Sequence, residues 1–461
     1  MSTAADVVGA AVDRARTAAV QWGGLGFRER RIHLLAWKRH IAQRVDELAE
    51  LIAAETGKSR DDAALEVMLA VEHLDWAARN AGKVLGRRRV PSGILGANHA
   101  ATVEYLPLGV VGVIGPWNYP VYTPLGSVSY ALAAGNAVVF KPSEHTPSTG
   151  AWLAAAWAEA VPDVPALQTV PGDGGVGAAL AWSGVDKIAF TGSAATARKV
   201  MATCAQTLTP LVVEGGGKDA MIVAADADLD AAARAAAFGG FGNAGQTCAG
   251  VERIYVERSV FEAFVGKVSA LAVGKFRMTT PEQPAIVRAH VEDAIARGGR
   301  AVVGGPGSVE SRDVAPVVLT DVPEDSIAVT EETFGPTLVI NPVDSVDEAI
   351  DLANRSKYGL AASIFTRDSP RALDIARRIR AGAASINAVL GFAGIPSLPF
   401  GGVGDSGFGR IHGADGLREF SRAQSVTRQR FSPPLDLMRL DRDPHTMARA
   451  LKLFRLRHGR Q

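Results

Sequence analysis

The sequence predicts an α/β protein with two doubly wound units, each built around a mostly parallel sheet. Residues 110–114 and 137–140 are short apolar runs separated by a helix-length segment, and a second such series begins near Asp219. Apolar runs of this kind are typical of strands covered on both faces, and their alternation with helices indicates a parallel sheet. The 461 residues, 47% of them hydrophobic, suffice for roughly three domains, or for two large ones with an appendage.

The residues before the first strand are predicted to form helices. Apolar residues such as Val67 and Leu74 recur at three- and four-residue steps within 58–85, which places them on one helix face. We interpret this region as a scaffold without visible chemistry. Residues 87–106 follow with two alternating segments around a turn-prone stretch, and they predict a β-hairpin.

Small or polar residues follow three strands predicted in the first unit. They occupy 115–118, 141–144 and 191–193, directly after apolar runs. Because ligands of parallel sheets bind beyond the carboxyl ends of the strands, these segments predict a nucleotide-sized site. The glycine-rich segment 171–177 is weaker evidence for a phosphate site, since turns alone produce such runs.

The second α/β unit is predicted from Asp219 to beyond Phe365. Its strands are expected at 221–223, 253–256, 337–340 and 362–365. A glycine-rich stretch at 400–413 is suited to a backbone that turns sharply or closely approaches another segment.

Composition and charge exclude several classes of function. Lysine and arginine number 49 against 48 acidic residues, so no net field would attract a nucleic acid. Two cysteines are too few for a disulfide framework, and the nine histidines lack metal-ligand spacing, so we predict no metal. The sequence shows no secretory signal pattern and no apolar run of about 18 residues, which predicts a cytoplasmic protein.

The basic tail, residues 432–461, differs from the rest of the chain. The aspartate–proline pair at 443–444 predicts the start of a short helix, on which Met447, Leu451 and Phe454 share one face. The favoured interpretation is a helix packed on the protein, or a frayed end. The less favoured one is an interfacial helix in peripheral contact with a membrane, because its other residues are basic.

Three residues have surroundings suited to catalysis. Cys248 lies among glycines and small residues, and local sequence leaves a structural and a nucleophilic role about equal. Glu214 follows an apolar run and precedes glycines, so it is either a general base or, as local sequence favours, the ion-pair partner of Lys218. Asn118, between two prolines, offers a fixed amide or only a turn. We assign Cys204 to packing.

Seven motifs, in this order, resemble those of the aldehyde dehydrogenase superfamily. They lie at 116–120, 141–144, 190–193, 214–218, 245–248, 331–336 and 399–407. None would suffice singly, but their joint order is very specific, and the resemblance covers roughly residues 57–426. The segment 406–413 is most similar to the class 3 branch of fatty and aromatic aldehyde dehydrogenases.

The resemblance implies that Cys248 is the nucleophile, whose thiolate attacks an aldehyde carbon to give a thiohemiacetal. The Asn118 amide and the Cys248 backbone N–H would hold its oxyanion. Hydride transfer to the cofactor would leave a thioester, and Glu214 would activate the water that hydrolyses it to the carboxylic acid.

The resemblance also implies NAD as the cofactor, bound in a non-standard way. Glu144 would accept hydrogen bonds from a ribose and repel a 2′-phosphate, whereas Lys141 nearby leaves the use of NADP open. Glu332 and Phe334 would hold the nicotinamide ribose and ring, and Ser193 would face the pyrophosphate. The full set of predicted cofactor-binding residues is Ile114, Pro116, Trp117, Lys141, Glu144, Gly174, Phe190, Thr191, Gly192, Ser193, Gly215, Glu332 and Phe334.

The resemblance divides the chain into parts of different function. Residues 1–86 and 107–213 are predicted to form the NAD-binding domain, and 214–407 the catalytic domain. Residues 87–106 and 408–431 would form a bridging element that adds strands to a neighbouring subunit of a homodimer or homotetramer. The basic tail completes the chain.

The predicted substrate is an apolar aliphatic or aromatic aldehyde. Tyr119, Tyr122 and Phe392 would line its entrance, and no arginine between 235 and 247 would pair with a distal carboxylate. The alternatives are a semialdehyde dehydrogenase of the same superfamily and a non-catalytic member that acts as a binding or structural protein. The base at Glu214 argues against an acylating enzyme that transfers the thioester to coenzyme A.

Several positions depart from the family pattern. Gly215 stands where leucine is usual, and we expect it to loosen the strand end that positions Glu214. Ala197 stands where glycine is common, and we expect a slight shift of the cofactor phosphates. Thr330 replaces a frequent methionine, and the segment 387–397 lacks a histidine often seen in the class 3 branch.

Overall fold

Helices and strands alternate along the part of the chain that the computed structural model describes, residues 3–432 and 437–459. The helices, numbered in chain order, are α1 (Ala4–Gly24), α2 (Phe27–Gln43), α3 (Val45–Thr56), α4 (Arg60–Leu85), α5 (Tyr122–Ala134), α6 (Pro147–Ala160), α7 (Gly174–Trp182), α8 (Ala194–Thr207), α9 (Leu229–Phe241), α10 (Phe261–Leu271), α11 (Gln283–Ala296), α12 (Ile327–Thr330), α13 (Val346–Asn354), α14 (Ser369–Arg378), α15 (Gly413–Glu419) and α16 (Pro444–His458). The strands are β1 (Arg88–Val90), β2 (His99–Pro107), β3 (Val110–Ile114), β4 (Ala137–Lys141), β5 (Leu167–Thr169), β6 (Lys187–Thr191), β7 (Leu211–Glu214), β8 (Asp219–Val223), β9 (Val251–Glu257), β10 (Phe276–Arg277), β11 (Arg300–Val303), β12 (Val309–Glu310), β13 (Asp313–Val314), β14 (Val317–Thr320), β15 (Thr337–Val343), β16 (Ala361–Phe365), β17 (Ala383–Ile386), β18 (Gly407–Phe408) and β19 (Ser421–Gln429). The strands predicted in both units are confirmed.

Helix α4 confirms the helix predicted within 58–85. The Ser59 side chain caps it by accepting a hydrogen bond from the Asp62 N–H, and the helix ends before Gly86. Val67 and Leu74 are fully buried, so the apolar face of the sequence pattern is the face that packs against the protein.

The first sheet has the strand order β18-β7-β6-β3-β4-β5. Strands β3 to β7 pair in parallel, and β18 pairs antiparallel with β7. Every residue of β3 and β4 is buried, which indicates cover on both faces. The strand order reverses at β3, between β4 and β6, and such a switch point is where doubly wound sheets bind ligands.

The second sheet has the order β11-β14-β15-β9-β8-β16-β17, and its strands are parallel except for β11. The chain crosses from the first sheet to the second over residues 215–218, because β7 ends at Glu214 and β8 begins at Asp219. Two sheets of this kind, each with its helices, are the two α/β units predicted from the sequence.

Two smaller antiparallel sheets complete the fold, β10-β13-β12 and β1-β2-β19. In the latter, β2 pairs with β19 from Pro107 opposite Ser421 to His99 opposite Gln429, while β1 pairs with the other edge of β2. The β-hairpin predicted at 87–106 is therefore confirmed. Its role as a bridge between subunits, and the domain boundaries, stay predictions.

The predicted tail helix is confirmed as α16. It begins after Asp443, whose carboxylate accepts a hydrogen bond from the His445 N–H. No residue of α16 is buried, so the structure favours the frayed end over a helix packed on the protein. Residues 433–436 of the predicted tail lie outside the described residues. None of the described helices combines the length and apolar character needed to cross a membrane.

Candidate active site

The strand ends of the first sheet place predicted site residues in one row. Ile114 of β3 pairs in register with Lys141 of β4 and with Phe190 of β6, and Thr191 of β6 pairs with Glu214 of β7. Parallel strands end at the same edge of a sheet, so residues far apart in the sequence meet there. This edge is the base of the candidate site.

The crossing between the two sheets depends on glycine. A β-carbon at Gly216 would lie 2.1 Å from the Glu332 carboxylate, and one at Gly217 would lie 2.5 Å from the Cys248 carbonyl oxygen. Neither distance allows a side chain without a shift of its neighbour, so the close approach requires glycine. The crossing therefore brings Glu332 and Cys248 next to the end of β7.

Gly215 does not loosen the end of β7, contrary to the expectation from the sequence. Its N–H donates to the Ser406 carbonyl over 3.0 Å, and Ser406 Oγ donates to the Gly216 carbonyl over 2.7 Å. A β-carbon at Gly215 would lie 2.6 Å from the Asp405 carbonyl oxygen, so this turn fills the space that a leucine would need. The strand end that carries Glu214 is held by these contacts.

The Cys248 thiol donates a hydrogen bond to Glu214, with 3.1 Å between Sγ and Oε1. Glu214 is 3% exposed, and its Oε2 has no hydrogen-bond partner in the described part of the chain. Burial raises the pKa of Glu214 to about 7, and burial together with the Glu214 charge raises the pKa of the Cys248 thiol. A carboxyl group that titrates near neutral pH beside a thiol is suited to accept a proton.

The alternative ion pair between Glu214 and Lys218 is wrong. Lys218 Nζ donates instead to the Glu252 carboxylate and, over 3.0 Å, to Thr333 Oγ1. Glu252 also accepts hydrogen bonds from the N–H groups of Thr333 and Phe334. This buried ion pair therefore fixes the loop that carries Phe334 and leaves Glu214 without a cation.

A left-handed turn carries Cys248 to its position. After α9, the residues Asn243, Ala244 and Gly245 have φ values of 52°, 59° and 71°. A β-carbon at Gly245 would lie 2.1 Å from the Gly335 carbonyl oxygen, so this turn and the loop before β15 are in close contact. Left-handed backbone at non-glycine residues costs energy and concentrates at functional sites.

The Asn118 side chain reaches the same turn. Its Nδ2 donates to the Gln246 carbonyl over 3.0 Å, which uses one of the two N–H groups of the amide. The Gln246 side chain is itself fixed by hydrogen bonds to the Asn243 carbonyl and the Thr279 N–H. Asn118 is 4% exposed and shares a cavity wall with Cys248. The structure therefore brings Cys248, Glu214 and Asn118 together.

A buried ion pair behind Asn118 was missed by the sequence analysis. Lys58 Nζ donates to Glu66 Oε2 over 2.7 Å and to the Asn118 carbonyl over 2.8 Å. Glu66 Oε1 accepts hydrogen bonds from the N–H groups of Val121 and Tyr122 at the start of α5. The region interpreted as a scaffold without chemistry thus supports the site. A signal was present, because Glu66 is a charged residue on the apolar face of α4.

Two cavities meet at Cys248. The first, named the tunnel, has a volume of about 270 Å³, and its walls include both α4 and the segment after β17. Its apolar lining includes Leu65, Leu69, Tyr119, Tyr122, Phe238, Phe392 and Phe400. The second, named the cleft, has a volume of about 290 Å³ and opens along the end of the first sheet. Cys248 lines both cavities.

The cleft contains most of the predicted cofactor-binding residues. Those in its wall are Pro116, Trp117, Thr191, Gly192, Ser193, Gly215, Glu332 and Phe334. Burial raises the pKa of Glu332 to about 8, and Oε1 of this side chain accepts the Gly217 N–H over 3.1 Å. The Phe334 ring lies edge-on to the Trp117 ring, with 5.3 Å between centroids.

The other predicted cofactor residues lie outside the cleft wall. Lys141 and Glu144 form an ion pair of 2.9 Å at the end of β4. Phe190 packs beneath Gly192, where a β-carbon would lie 2.8 Å from its ring. Ile114 ends β3, and Gly174 is an exposed residue at the start of α7. Ala197 is buried in the core, where its methyl group packs.

The family model described as the aldehyde dehydrogenase family matches residues 1–426. This chain belongs to the aldehyde dehydrogenase family. It is therefore an oxidoreductase that acts on the aldehyde group. The match ends within β19, so the aldehyde dehydrogenase model does not include α16.

Relatives of this aldehyde dehydrogenase are named after different substrates. A 4,4'-diapolycopene aldehyde oxidase of Methylomonas sp is 41% identical over 88% of this chain and 79% of its own length. A Mycolicibacterium smegmatis protein, provisionally named a succinate-semialdehyde dehydrogenase [NADP(+)], is 37% identical over 95% of this chain and 88% of its own. A mutant P. syringae indole-3-acetaldehyde dehydrogenase in complex with NAD+ is 30% identical, with a TM-score of 0.87 over 92% of this chain and 89% of its own.

The described residues of this aldehyde dehydrogenase contain no group of three or more His, Cys, Asp or Glu side chains that could hold a metal ion. The ring of His412 packs against the ring of His73, with 3.9 Å between the two centroids. Both rings are buried, and burial lowers the pKa of each. The pair packs behind the tunnel, against Tyr122.

We expect Lys58→Met to lower kcat/KM for an aldehyde by roughly 10- to 100-fold, because the Asn118 loop loses its support. Lys58→Arg, which keeps the charge, should retain more activity. The double variant Lys58→Met/Glu66→Leu avoids an unpaired buried carboxylate but leaves the Val121 and Tyr122 N–H groups without their acceptor, so it should not recover kcat/KM. Lys38→Met, which breaks a partly buried ion pair with Asp75, is the matched control. Recovery of kcat/KM in the double variant would contradict a positioning role.

Proposed function

We propose that this protein oxidises an apolar aldehyde, aliphatic or aromatic, to the carboxylic acid through Cys248, with NAD as the hydride acceptor. The observation that carries the proposal is the position of Cys248. Its thiol lies where the apolar tunnel meets the cleft, 3.1 Å from a buried carboxyl group that titrates near neutral pH. The aldehyde would enter through the tunnel, and the cofactor would occupy the cleft.

The first step forms a bond between Cys248 Sγ and the aldehyde carbon. The thiol proton passes to Glu214, whose Oε1 already accepts the thiol hydrogen bond. The aldehyde oxygen gains the negative charge, and the Asn118 amide and the Cys248 backbone N–H stabilise it. The product of this step is a thiohemiacetal on Cys248.

Glu214 acts a second time after the thiohemiacetal has become a thioester. The bound nicotinamide supplies the hydride acceptor for that conversion. Glu214 first releases to solvent the proton that it took from the thiol. It then takes a proton from a water molecule as the water oxygen bonds to the thioester carbon, and the bond from carbon to Sγ breaks. The carboxylic acid leaves, and the proton returns to the thiolate of Cys248.

The residues of the cleft fit a dinucleotide. Ser193 caps α8, so the N-terminus of this helix meets the cleft and can bind a phosphate. Glu332 presents a carboxylate for ribose hydroxyls, and its contact with the Gly217 N–H fixes it. At the end of β4, the Glu144 carboxylate favours a ribose over a 2′-phosphate, which supports NAD, while Lys141 leaves NADP as an alternative.

The tunnel lining supports an apolar substrate. Among the described residues that line the tunnel, Lys58 is the one basic side chain, and it is already paired with Glu66. Asp62, Glu66 and Glu214 are the acidic groups there. Succinate semialdehyde ends in a carboxylate, for which the wall offers no free cation. A semialdehyde is therefore the second candidate, and a non-catalytic binding or structural role the third.

We also propose the predicted division into an NAD-binding domain, a catalytic domain and a bridging element, in a cytoplasmic homo-oligomer of the class 3 type. The exposed face of β19 supports the bridging element. A strand of nine residues that is largely exposed, beside a half-buried β2, is suited to pairing or packing with another subunit.

The substrate proposal is tested with purified protein, NAD or NADP, straight-chain aldehydes of increasing length, benzaldehyde and succinic semialdehyde. We expect kcat/KM with NAD to rise by up to about fourfold per added methylene until the tunnel is filled. Butanal should exceed succinic semialdehyde, which has the same chain length, by roughly tenfold or more. The reverse order would favour the semialdehyde candidate. No turnover of any of these aldehydes, with NAD still bound, would favour a non-catalytic role.

Cys248→Ala should abolish turnover, by roughly 10⁴-fold or more, because no other thiol lies at the junction of the cavities. Cofactor binding, followed by quenching of protein fluorescence, should be retained. The matched control is Cys204→Ala, since Cys204 lies on the buried side of α8. An equal loss in both variants would indicate a structural effect and sink the assignment.

Glu214→Gln should form at most one NADH per active site, more slowly than the unaltered protein, and then stall as an acyl-enzyme, because the amide accepts no proton from the thiol or from water. In the unaltered protein, we expect kcat to rise as the pH increases through about 7, since the raised pKa keeps Glu214 protonated below that value. The variant should lose this pH dependence. Steady turnover by Glu214→Gln at the normal rate would show that another group is the base.

A further inference from the structure

Helix α16 exposes apolar side chains that the protein does not cover. Leu451, Leu453, Phe454 and Leu456 are each about half exposed, from 45% to 58%. No residue of this helix is buried. An exposed cluster of large apolar residues marks a surface that binds something else.

The same helix concentrates the positive charge of the chain. Residues 444–461 contain five lysines and arginines and no acidic residue, whereas the whole chain has a net charge of +1. The rest of the chain therefore carries a net charge of −4. Four of these cations, Arg449, Lys452, Arg455 and Arg457, lie on α16, the element that exposes the apolar side chains.

The cations and the apolar side chains are arranged along the helix in two rows. Met447, Leu451 and Phe454 follow each other at four- and three-residue steps and share one face. Arg449, Lys452 and Arg455 follow at three-residue steps on the other side. Leu453 and Leu456 lie on the side of these cations, so the exposed apolar residues are not confined to one face of α16.

We propose that α16 docks this protein on an anionic lipid surface. The apolar row would lie among the acyl chains near the headgroups, and the cations would contact lipid phosphates. An anionic bilayer is the surface that offers both complements at once. At 15 residues, α16 is too short to span a bilayer, so it would lie in the plane of the interface.

Docking on lipid also agrees with the apolar tunnel. A long apolar aldehyde partitions into bilayers, so an enzyme held there meets a higher concentration of its substrate. The docking itself does not depend on the proposed substrate, because it rests on α16 alone.

The test measures co-sedimentation of the full chain with vesicles of phosphatidylcholine, with and without about 30% phosphatidylglycerol. We expect at least roughly tenfold more bound protein on the anionic vesicles, and less binding at about 0.5 M salt. Equal binding to both vesicle types, or none to either, would overturn the proposal.

Two variants separate the parts of the docking helix. R449Q/K452Q/R455Q/R457Q removes four cations, and L451S/F454S removes apolar area, and each should lower binding by roughly tenfold. The matched control R258Q/K267Q/K275Q/R297Q removes four exposed cations from the body and should bind as the unaltered protein does. Binding that survives L451S/F454S would mark a simple polyanion contact and overturn the proposal.

The competing occupant of α16 is a second copy of the chain. Sedimentation velocity of a variant that lacks residues 444–461 distinguishes the two. We expect an unchanged oligomeric state, an unchanged melting temperature and no vesicle binding. Dissociation of the oligomer, with unchanged vesicle binding, would assign the helix to a subunit contact and overturn lipid docking.

Discussion

The site depends on the glycines that carry the chain from one sheet to the other. At Gly217 the backbone passes so close to the Cys248 carbonyl oxygen that no β-carbon fits, and a β-carbon at Gly216 would displace the Glu332 carboxylate. A side chain at either position would move the loop with Glu332 or the turn with Cys248 away from β7. This contact between the sheets allows the Cys248 thiol to donate its hydrogen bond to Glu214. It also places Cys248 in the walls of both cavities.

Three buried carboxylates around the site have different electrostatic surroundings, and the difference assigns their tasks. Glu66 and Glu252 each have a lysine partner and two backbone N–H donors, and these contacts hold loops in place. In the described part of the chain Glu214 has no cation partner, and burial raises its pKa to about 7 although its carboxylate accepts a hydrogen bond from the Cys248 thiol. A buried carboxyl group without a cation partner lowers the stability of the fold. Such groups are typical of catalytic sites.

The sequence predicts the elements of this fold well and the contacts between them less well. Cys248 and Glu214 could be found because short glycine-rich motifs surround each of them. Lys58 was missed because its partners, Glu66 and the Asn118 carbonyl, lie 8 and 60 residues away. Lys218 was assigned to Glu214 because they are close in sequence, but the crossing separates them. The same limit applies to α16, since its periodicity predicts a helix but not whether the protein covers it.

The raised pKa of the Cys248 thiol affects how readily this sulfur is oxidised. Thiolates, not thiols, react with peroxides and other electrophiles, and burial beside Glu214 raises the pKa of this sulfur. Between turnovers the sulfur is therefore a poor target for oxidation, although the cavities leave it open to small molecules. In the proposed mechanism, reactivity arises only when a carbonyl group is in place to receive the electron pair while Glu214 takes the proton. The arrangement protects a site that aldehydes, themselves electrophiles, must still be able to enter.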